Sequence, residues 1–78
     1  MGLYFFDTWG GKAWMIDDQG VECINEDDAL QRAHTELGEM AVEELPNGLS
    51  TTTLAVRVRD ISGLIIETSL TLKTVWSR

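Results

Sequence analysis

Apolar side chains recur at two different periods, and the clearest helical period lies between Asn25 and Leu45. The apolar residues of this stretch return about every 3.6 positions and therefore form one stripe on a helix. They are Ala29, Leu30, Ala33, Leu37, Met40, Ala41 and Leu45. Asn25 has the side chain of an N-cap, Asp27 and Asp28 suit a first turn, and Pro46 cannot continue the helix. The pattern predicts an amphipathic helix over residues 25–45.

Two short apolar runs on either side of Gly10 and Gly11 predict a β-hairpin over residues 3–17. Asp7 decides which face of the first strand is buried, because an unpaired buried carboxylate is costly. Alternation then divides the hairpin between a face under the helix and an outer face. The residues expected under the helix are Tyr4, Phe6, Thr8, Trp14 and Ile16. Those expected on the outer face are Leu3, Phe5, Asp7, Met15 and Asp17.

A second hairpin is predicted over residues 52–72, around the turn from Asp60 to Gly63. If Asp60 lies opposite Leu64, the aliphatic residues of both strands fall on one face. The pairs expected on that face are Val58 with Ile66, Val56 with Thr68 and Leu54 with Leu70. On the other face Arg57 meets Glu67 in a cross-strand ion pair. A slip of one residue would break both features, so the register is well specified.

These elements predict an α+β domain of order ββαββ, a four-stranded antiparallel sheet with one helix packed on one face. Hairpin 3–17, helix 25–45, hairpin 52–72 and a C-terminal tail 73–78 make up a single domain, residues 1–78. A chain of 78 residues buries only about 60% of its unfolded surface. Self-association would add to such a small core.

Charge and cysteine content narrow the functional classes. Thirteen acidic residues against six basic ones give a formal net charge of −7. This argues against a nucleic-acid surface and favours, if anything, a basic protein partner along the acidic face of the helix. Cys23 is the only cysteine, so no disulfide can form within the chain and a cytoplasmic location is expected. No apolar stretch approaches the roughly 20 residues of a membrane span.

No catalytic, cofactor-binding or metal-binding constellation is visible. His34 is the only histidine and has no nucleophile at a recognisable spacing. Cys23 is surrounded by acidic residues, which oppose formation of a thiolate, so a buried and inert thiol is expected. These two side chains are the only soft ligands and are too few for a zinc site. The sequence predicts a protein without enzymatic activity, cofactor or metal.

The outer face of the predicted sheet has an apolar centre among charged residues, and such patches often mark interaction sites. The candidate interface residues are Leu3, Phe5, Met15, Arg57, Ile65 and Trp76. We expect a non-enzymatic interaction module that forms a homodimer, sheet to sheet. Two alternatives stay open: an ordinary half-apolar surface, and a nucleic-acid-associated regulator that uses Phe5, Arg57 and Arg59 of the same face.

Four short motifs keep a characteristic order and spacing. They are Tyr4-Phe5-Phe6-Asp7, Asp17-Asp18-Gln19-Gly20-Val21-Glu22, Glu43-Glu44-Leu45-Pro46, and Val58-Arg59-Asp60 followed by Gly63. In these motifs the chain resembles a family of small proteins found mainly in rhizobia and related alphaproteobacteria, a domain of unknown function with an N-terminal Y-F-F motif. The resemblance extends to about Leu72. It implies a bacterial cytoplasmic protein with a compact α+β fold, and no activity or catalytic residue.

Overall fold

Five strands and one helix make up the computed structural model, which describes residues 1–44 and 51–77. The elements are β1 (Gly2–Trp9), β2 (Trp14–Met15), β3 (Val21–Cys23), α1 (Glu26–Glu44), β4 (Thr51–Asp60) and β5 (Gly63–Lys73). The α+β class with an antiparallel sheet is confirmed. The sheet has five strands where four were predicted, because the segment that leads into the helix also pairs with β1.

The strands lie in the order β2-β1-β4-β5, and every pairing is antiparallel. The two short strands pair with opposite ends of β1. β3 pairs with its start, where Gly2 lies opposite Cys23, and β2 pairs with its end, where Trp9 lies opposite Trp14. Residues 16–20 leave the sheet between these two pairings, so this part of the sheet is interrupted by a loop.

Helix α1 begins as its sequence predicts. The Asn25 side chain accepts a hydrogen bond from the Asp28 N–H at 2.9 Å, and the Asp28 carboxylate accepts one from the Ile24 N–H at 2.9 Å. The first bond satisfies one of the N–H groups that a helix start leaves without an intrahelical partner, and the second fixes the residue before the cap. Leu45 and the predicted stop at Pro46 lie outside the described residues.

The core lies between α1 and the sheet. Helix α1 packs mainly on β4, and to a lesser extent on β5 and β3. The buried core residues are Cys23, Ala29, Ala33, Leu37, Leu54, Val56 and Val58. Because Ala29 and Ala33 are small and completely buried, the helix backbone comes close to the sheet. Tyr4 and Phe6 pack against this core, which confirms the face predicted from Asp7.

The register of β4 and β5 matches the prediction over most of its length. The predicted pairs Val58–Ile66, Val56–Thr68, Leu54–Leu70 and Arg57–Glu67 are all present. The prediction that Asp60 faces Leu64 is wrong: Asp60 pairs with Gly63, and Ile65 becomes an extra residue in β5. A tight turn explains the difference, since Gly63 has φ +124° and the Asp60 side chain accepts the Ser62 N–H at 2.7 Å.

The predicted faces of Trp14 and Met15 are wrong. Four residues separate Trp9 from Trp14, and these two tryptophans pair directly across the first hairpin. Paired residues share a face, so Trp14 joins Trp9 on the outer side of the sheet. Met15 pairs with Thr8 and therefore lies on the helix side, where it is 73% exposed. The prediction carried the inward and outward alternation of β1 straight into β2. It ignored the four-residue loop between Trp9 and Trp14, which puts the two tryptophans opposite each other.

Candidate interaction surface

The sheet face opposite α1, called the outer face below, carries its side chains in rows that cross the strands. The pairing registers give the rows Phe5–Arg59–Leu64, Asp7–Arg57–Glu67 and Trp14–Trp9–Ala55–Ser69, with Leu3 beyond the first row. Among these three rows, the two outer rows carry the apolar and aromatic side chains, and the charged side chains are those of the middle row together with Arg59.

Asp7 is the most deeply buried charged residue of the outer face, with 6% of its surface exposed. Its carboxylate accepts hydrogen bonds from Arg59 Nε at 2.8 Å, Arg59 Nη2 at 3.2 Å and the Asp17 N–H at 2.9 Å. Arg59 Nη2 also donates to the Asp17 carbonyl oxygen at 2.6 Å. One arginine thus joins β1, β4 and the 16–20 loop. A carboxylate can be buried here because its charge and its oxygens are matched.

The Asp17 side chain replaces a missing strand partner. Its Oδ2 accepts the Phe6 N–H of β1 at 3.1 Å, and its Oδ1 accepts the N–H groups of Gln19 and Gly20 at 3.0 and 3.1 Å. The last two bonds form an Asx-type turn over residues 17–20. The Phe6 N–H of β1 therefore keeps a hydrogen-bond acceptor although the loop has left the sheet.

Gly20 lets this loop lie against the outer face. Its φ is +79°, a conformation that side chains disfavour, and an added Cβ would lie 3.0 Å from both Leu3 Cδ1 and Phe5 Cε1. The close approach shields one edge of each of these apolar side chains.

Burial and hydrogen bonding oppose each other at both aspartates. Burial raises the pKa of Asp7, but the hydrogen bonds from Arg59 and from the Asp17 N–H, together with the arginine's charge, bring it below its ordinary value of 3.8. Burial likewise raises the pKa of Asp17, while three backbone N–H groups and the Arg59 charge lower it, again below 3.8. Both groups are therefore ionised at neutral pH and stabilised in that form by folding.

Each arginine of the outer face also stacks on an aromatic ring. The Arg57 guanidinium carbon lies 4.2 Å from the ring centroid of Trp14, and that of Arg59 lies 4.7 Å from the centroid of Phe5. Trp14 in turn contacts Trp9, with centroids 5.6 Å apart and planes tilted by 50°. These contacts order long side chains that would otherwise be mobile, so the face is largely pre-organised.

The predicted ion pair between Arg57 and Glu67 is confirmed at 2.6 Å. Its side chains are 44% and 48% exposed, so water screens the attraction and the pair contributes little to stability. The Arg59–Asp7 pair, by contrast, is 32% and 8% exposed. The same face thus offers one screened pair and one mostly buried pair.

Three of the six predicted interface residues share the outer face: Leu3, Phe5 and Arg57. Met15 is on the opposite side of the sheet, Ile65 is the half-buried extra residue of β5, and Trp76 lies beyond the end of β5 with 83% exposure. The aromatic pair Trp9 and Trp14 was missed as part of this face. The four-residue spacing between them was the signal that could have revealed it.

The structure separates the two remaining candidate residues, His34 on α1 and Cys23 at the end of β3. His34 is exposed on α1, and Cys23 is 1% exposed. Burial raises the pKa of the Cys23 thiol, with further contributions from Asp28 and Glu22 that outweigh the opposing effect of Arg32. Within residues 1–44 and 51–77, no three His, Cys, Asp or Glu side chains are grouped so that they could hold a metal ion.

Residues 3–71, from the first strand of the sheet to near the end of the last, match the family model described as "Domain of unknown function (DUF6894)". The chain belongs to the DUF6894 family. All three rows of the outer face lie within the matched DUF6894 region. Comparison with curated proteins and with solved structures gives no match. In the described part of this DUF6894 chain, no helix has the length and apolar character needed to cross a membrane.

Proposed function

We propose that this DUF6894 domain is a non-enzymatic interaction module that binds a second copy of itself through the outer face. The observation that carries the proposal is the composition of that face. No element of the described chain covers it as α1 covers the other, and it combines tryptophan, phenylalanine and arginine. These residue types are enriched at the energetic centres of protein interfaces. A single buried cysteine supports a reducing, cytoplasmic setting for such a module.

The size of the outer face is compatible with a stable dimer. The five strands have 34 residues in all, and at about 3.3 Å by 4.8 Å for each residue they give a flat area of roughly 540 Å². Side-chain relief raises the accessible area above this flat value. A standard interface buries about 800 Å² on each partner, so two outer faces in contact are of the required order.

The charge distribution supports a second copy as the partner. The chain as a whole carries a net charge of −7, which would make two copies repel. Within the three rows of the outer face, however, Asp7 and Glu67 are each bonded to an arginine, so the positive and negative charges balance. This is the part of the surface where two acidic chains can approach with the least repulsion.

The proposal is tested by measuring the solution mass by light scattering over a dilution series. We expect a dimer for the parent protein and a folded monomer for Leu3→Glu combined with Leu64→Glu. These side chains are 45% and 61% exposed, so the substitutions place charge in the interface without disturbing the core.

The matched control is Ile24→Glu combined with Ile61→Glu. These residues are 68% and 99% exposed and are not members of the outer-face rows, so the control adds the same charge elsewhere and is expected to remain dimeric. A parent protein that is monomeric at every concentration would contradict the proposal. So would a dimer that survives Leu3→Glu with Leu64→Glu.

The nucleic-acid alternative has weaker support. A single-strand platform needs free cations beside its aromatic rings, whereas Arg57 and Arg59 are both bound to carboxylates. A titration with single-stranded oligonucleotides at low salt tests the alternative directly. Salt-dependent binding to the outer face would reverse the order of the two proposals.

A further inference from the structure

A groove lies on the helix side of the sheet, where α1 does not cover β1 and β2. A helix with its side chains is about 10 Å wide, whereas neighbouring strands lie about 4.8 Å apart, so one helix covers about two strands. Because α1 packs mainly on β4, the space above the end of β1 and above β2 stays open. This space has a volume of about 690 Å³.

The floor of the groove is mostly apolar, with Thr8 and Asp17 as its polar lining residues. It is formed by Phe6 and Val21, which are half-buried, and by Met15 and Ile16, which are 73% and 65% exposed. Two exposed aliphatic side chains that adjoin two half-buried ones form a continuous apolar strip beside the core. Such a strip is typical of a surface that a further element covers.

The wall of the groove, formed by α1, is acidic. Its lining includes Asp28, Glu36 and Glu39, with Arg32 as the one basic residue among the described lining side chains. Within residues 1–44 and 51–77, neither Glu36 nor Glu39 forms an ion pair. The groove continues past Met15 along the same helix as far as Glu43, and this extension is also lined by the basic Lys12. Part of the chain's unpaired negative charge therefore lies beside an apolar strip.

We propose that this groove binds a cationic amphipathic helix of a partner protein, which lies beside α1 with its apolar side on Met15 and Ile16 and its basic side towards Glu36 and Glu39. Two helices side by side would cover the four main strands and complete the helical layer of the fold. The wall from Asp28 to Glu43 spans about four turns, roughly 22 Å, which accommodates a partner helix of about 15 residues. This site is distinct from the outer face and does not depend on self-association there.

The probe is a fluorescently labelled peptide of about 15 residues, made of leucine and lysine. Its leucines recur every three to four positions, so that a helix has leucine on one side and lysine on the other. Its binding is followed by fluorescence anisotropy at low salt. The control is a peptide with the same leucines and lysines in a different order, so that a helix formed from it has no apolar side. It carries the same charge as the first peptide. We expect saturable binding of the first peptide and at least about tenfold weaker binding of the second.

Two double variants test the wall and the floor. Glu36→Lys with Glu39→Lys is expected to weaken binding about tenfold or more, and Met15→Ser with Ile16→Ser is expected to do the same. The matched control is Asp18→Lys with Glu22→Lys, which changes the net charge equally at exposed positions outside the groove. It is expected to change the affinity less than about threefold, and circular dichroism checks that all variants fold.

Several results would overturn the proposal. Binding that is absent up to about 1 mM peptide, or equal for both peptides, would do so. Equal weakening by Asp18→Lys with Glu22→Lys would show attraction to the chain's overall charge. Spermine binding as tightly as the helical peptide would identify a site for small polycations. Conversion of a parent dimer to a monomer by Met15→Ser with Ile16→Ser would assign the groove to a second copy of this chain.

Discussion

Replacement of Asp7 by asparagine tests the mostly buried ion pair that joins β1, β4 and the 16–20 loop. Asparagine has the shape of aspartate but replaces one acceptor oxygen with an NH₂ donor. Both Asp7 oxygens accept hydrogen bonds, so this donor must face Arg59 or the Asp17 N–H. The substitution therefore removes the negative charge and also sets two donors against each other.

The expected loss of stability follows from the burial of the pair. Removing one partner of a fully buried ion pair costs about 3–5 kcal/mol. The Arg59 side chain is 32% exposed, so solvent compensates part of this loss, and we expect about 2–3 kcal/mol for Asp7→Asn. A chain of 78 residues has a total stability of roughly 4–12 kcal/mol. The variant should therefore lose a large part of its unfolding free energy and still fold.

Urea unfolding followed by far-UV circular dichroism measures this loss, at one protein concentration because self-association would add stability. Glu67→Gln is the matched control, since it neutralises the carboxylate of the exposed Arg57 pair on the same face. We expect it to cost less than about 1 kcal/mol. If Asp7→Asn cost no more than Glu67→Gln, the pairing of Asp7 with Arg59 would not stabilise the fold.

Three further predictions concern Gly20 in the 16–20 loop, Gly38 in α1, and the pH dependence that Asp7 and Asp17 give to stability. Gly20→Ala should destabilise the protein by about 1–2 kcal/mol, because φ is +79° and the new methyl group would meet Leu3 and Phe5 at 3.0 Å; Gly38→Ala, where an added Cβ meets nothing within 4 Å, should instead stabilise it by about 0.5–1 kcal/mol. Thermal unfolding measures both, and a Gly20→Ala variant as stable as the parent would contradict the packing. The lowered pKa values of Asp7 and Asp17 mean that the unfolded chain binds their protons more readily, so their contribution to stability is complete above about pH 3.8 and is lost as the pH falls through the folded pKa values. Urea unfolding from neutral to acid pH should show this loss, weaker in Asp7→Asn, and an unfolding free energy that stays constant well below pH 3.8 would argue against it.

The parts of the fold that follow from local pattern could be predicted from the sequence. The stripe of α1 and its Asn25 cap depend on residues within a few turns of one another. The register of β4 and β5 follows from alternation together with one complementary pair, Arg57 and Glu67. In both elements, the side chains that specify the structure are close in sequence.

The features that could not be predicted depend on segments far apart or on loop geometry. Arg59 lies 52 positions from Asp7, and its second role, binding the Asp17 carbonyl, requires the loop to leave the sheet at residue 16. The sequence predicts that Asp7 is exposed on the outer face. Its exposed fraction is in fact only 6%, because the loop covers it. The groove could not be predicted either, because its position depends on which strands α1 packs against.

The two edges of the sheet differ in how readily they could pair with a strand of another molecule. At one side β5 is a strand of eleven residues, and its backbone is the outermost of the described sheet. At the other side β2 and β3 have two and three residues, and the Asp17 carboxylate occupies the Phe6 N–H between them. Long, regular edges promote aggregation, whereas short and interrupted edges resist it. A fibril can grow only if every molecule has two sheet edges that pair with neighbours. Because β5 is the one long, regular edge of the described sheet, pairing through β5 would stop at a dimer.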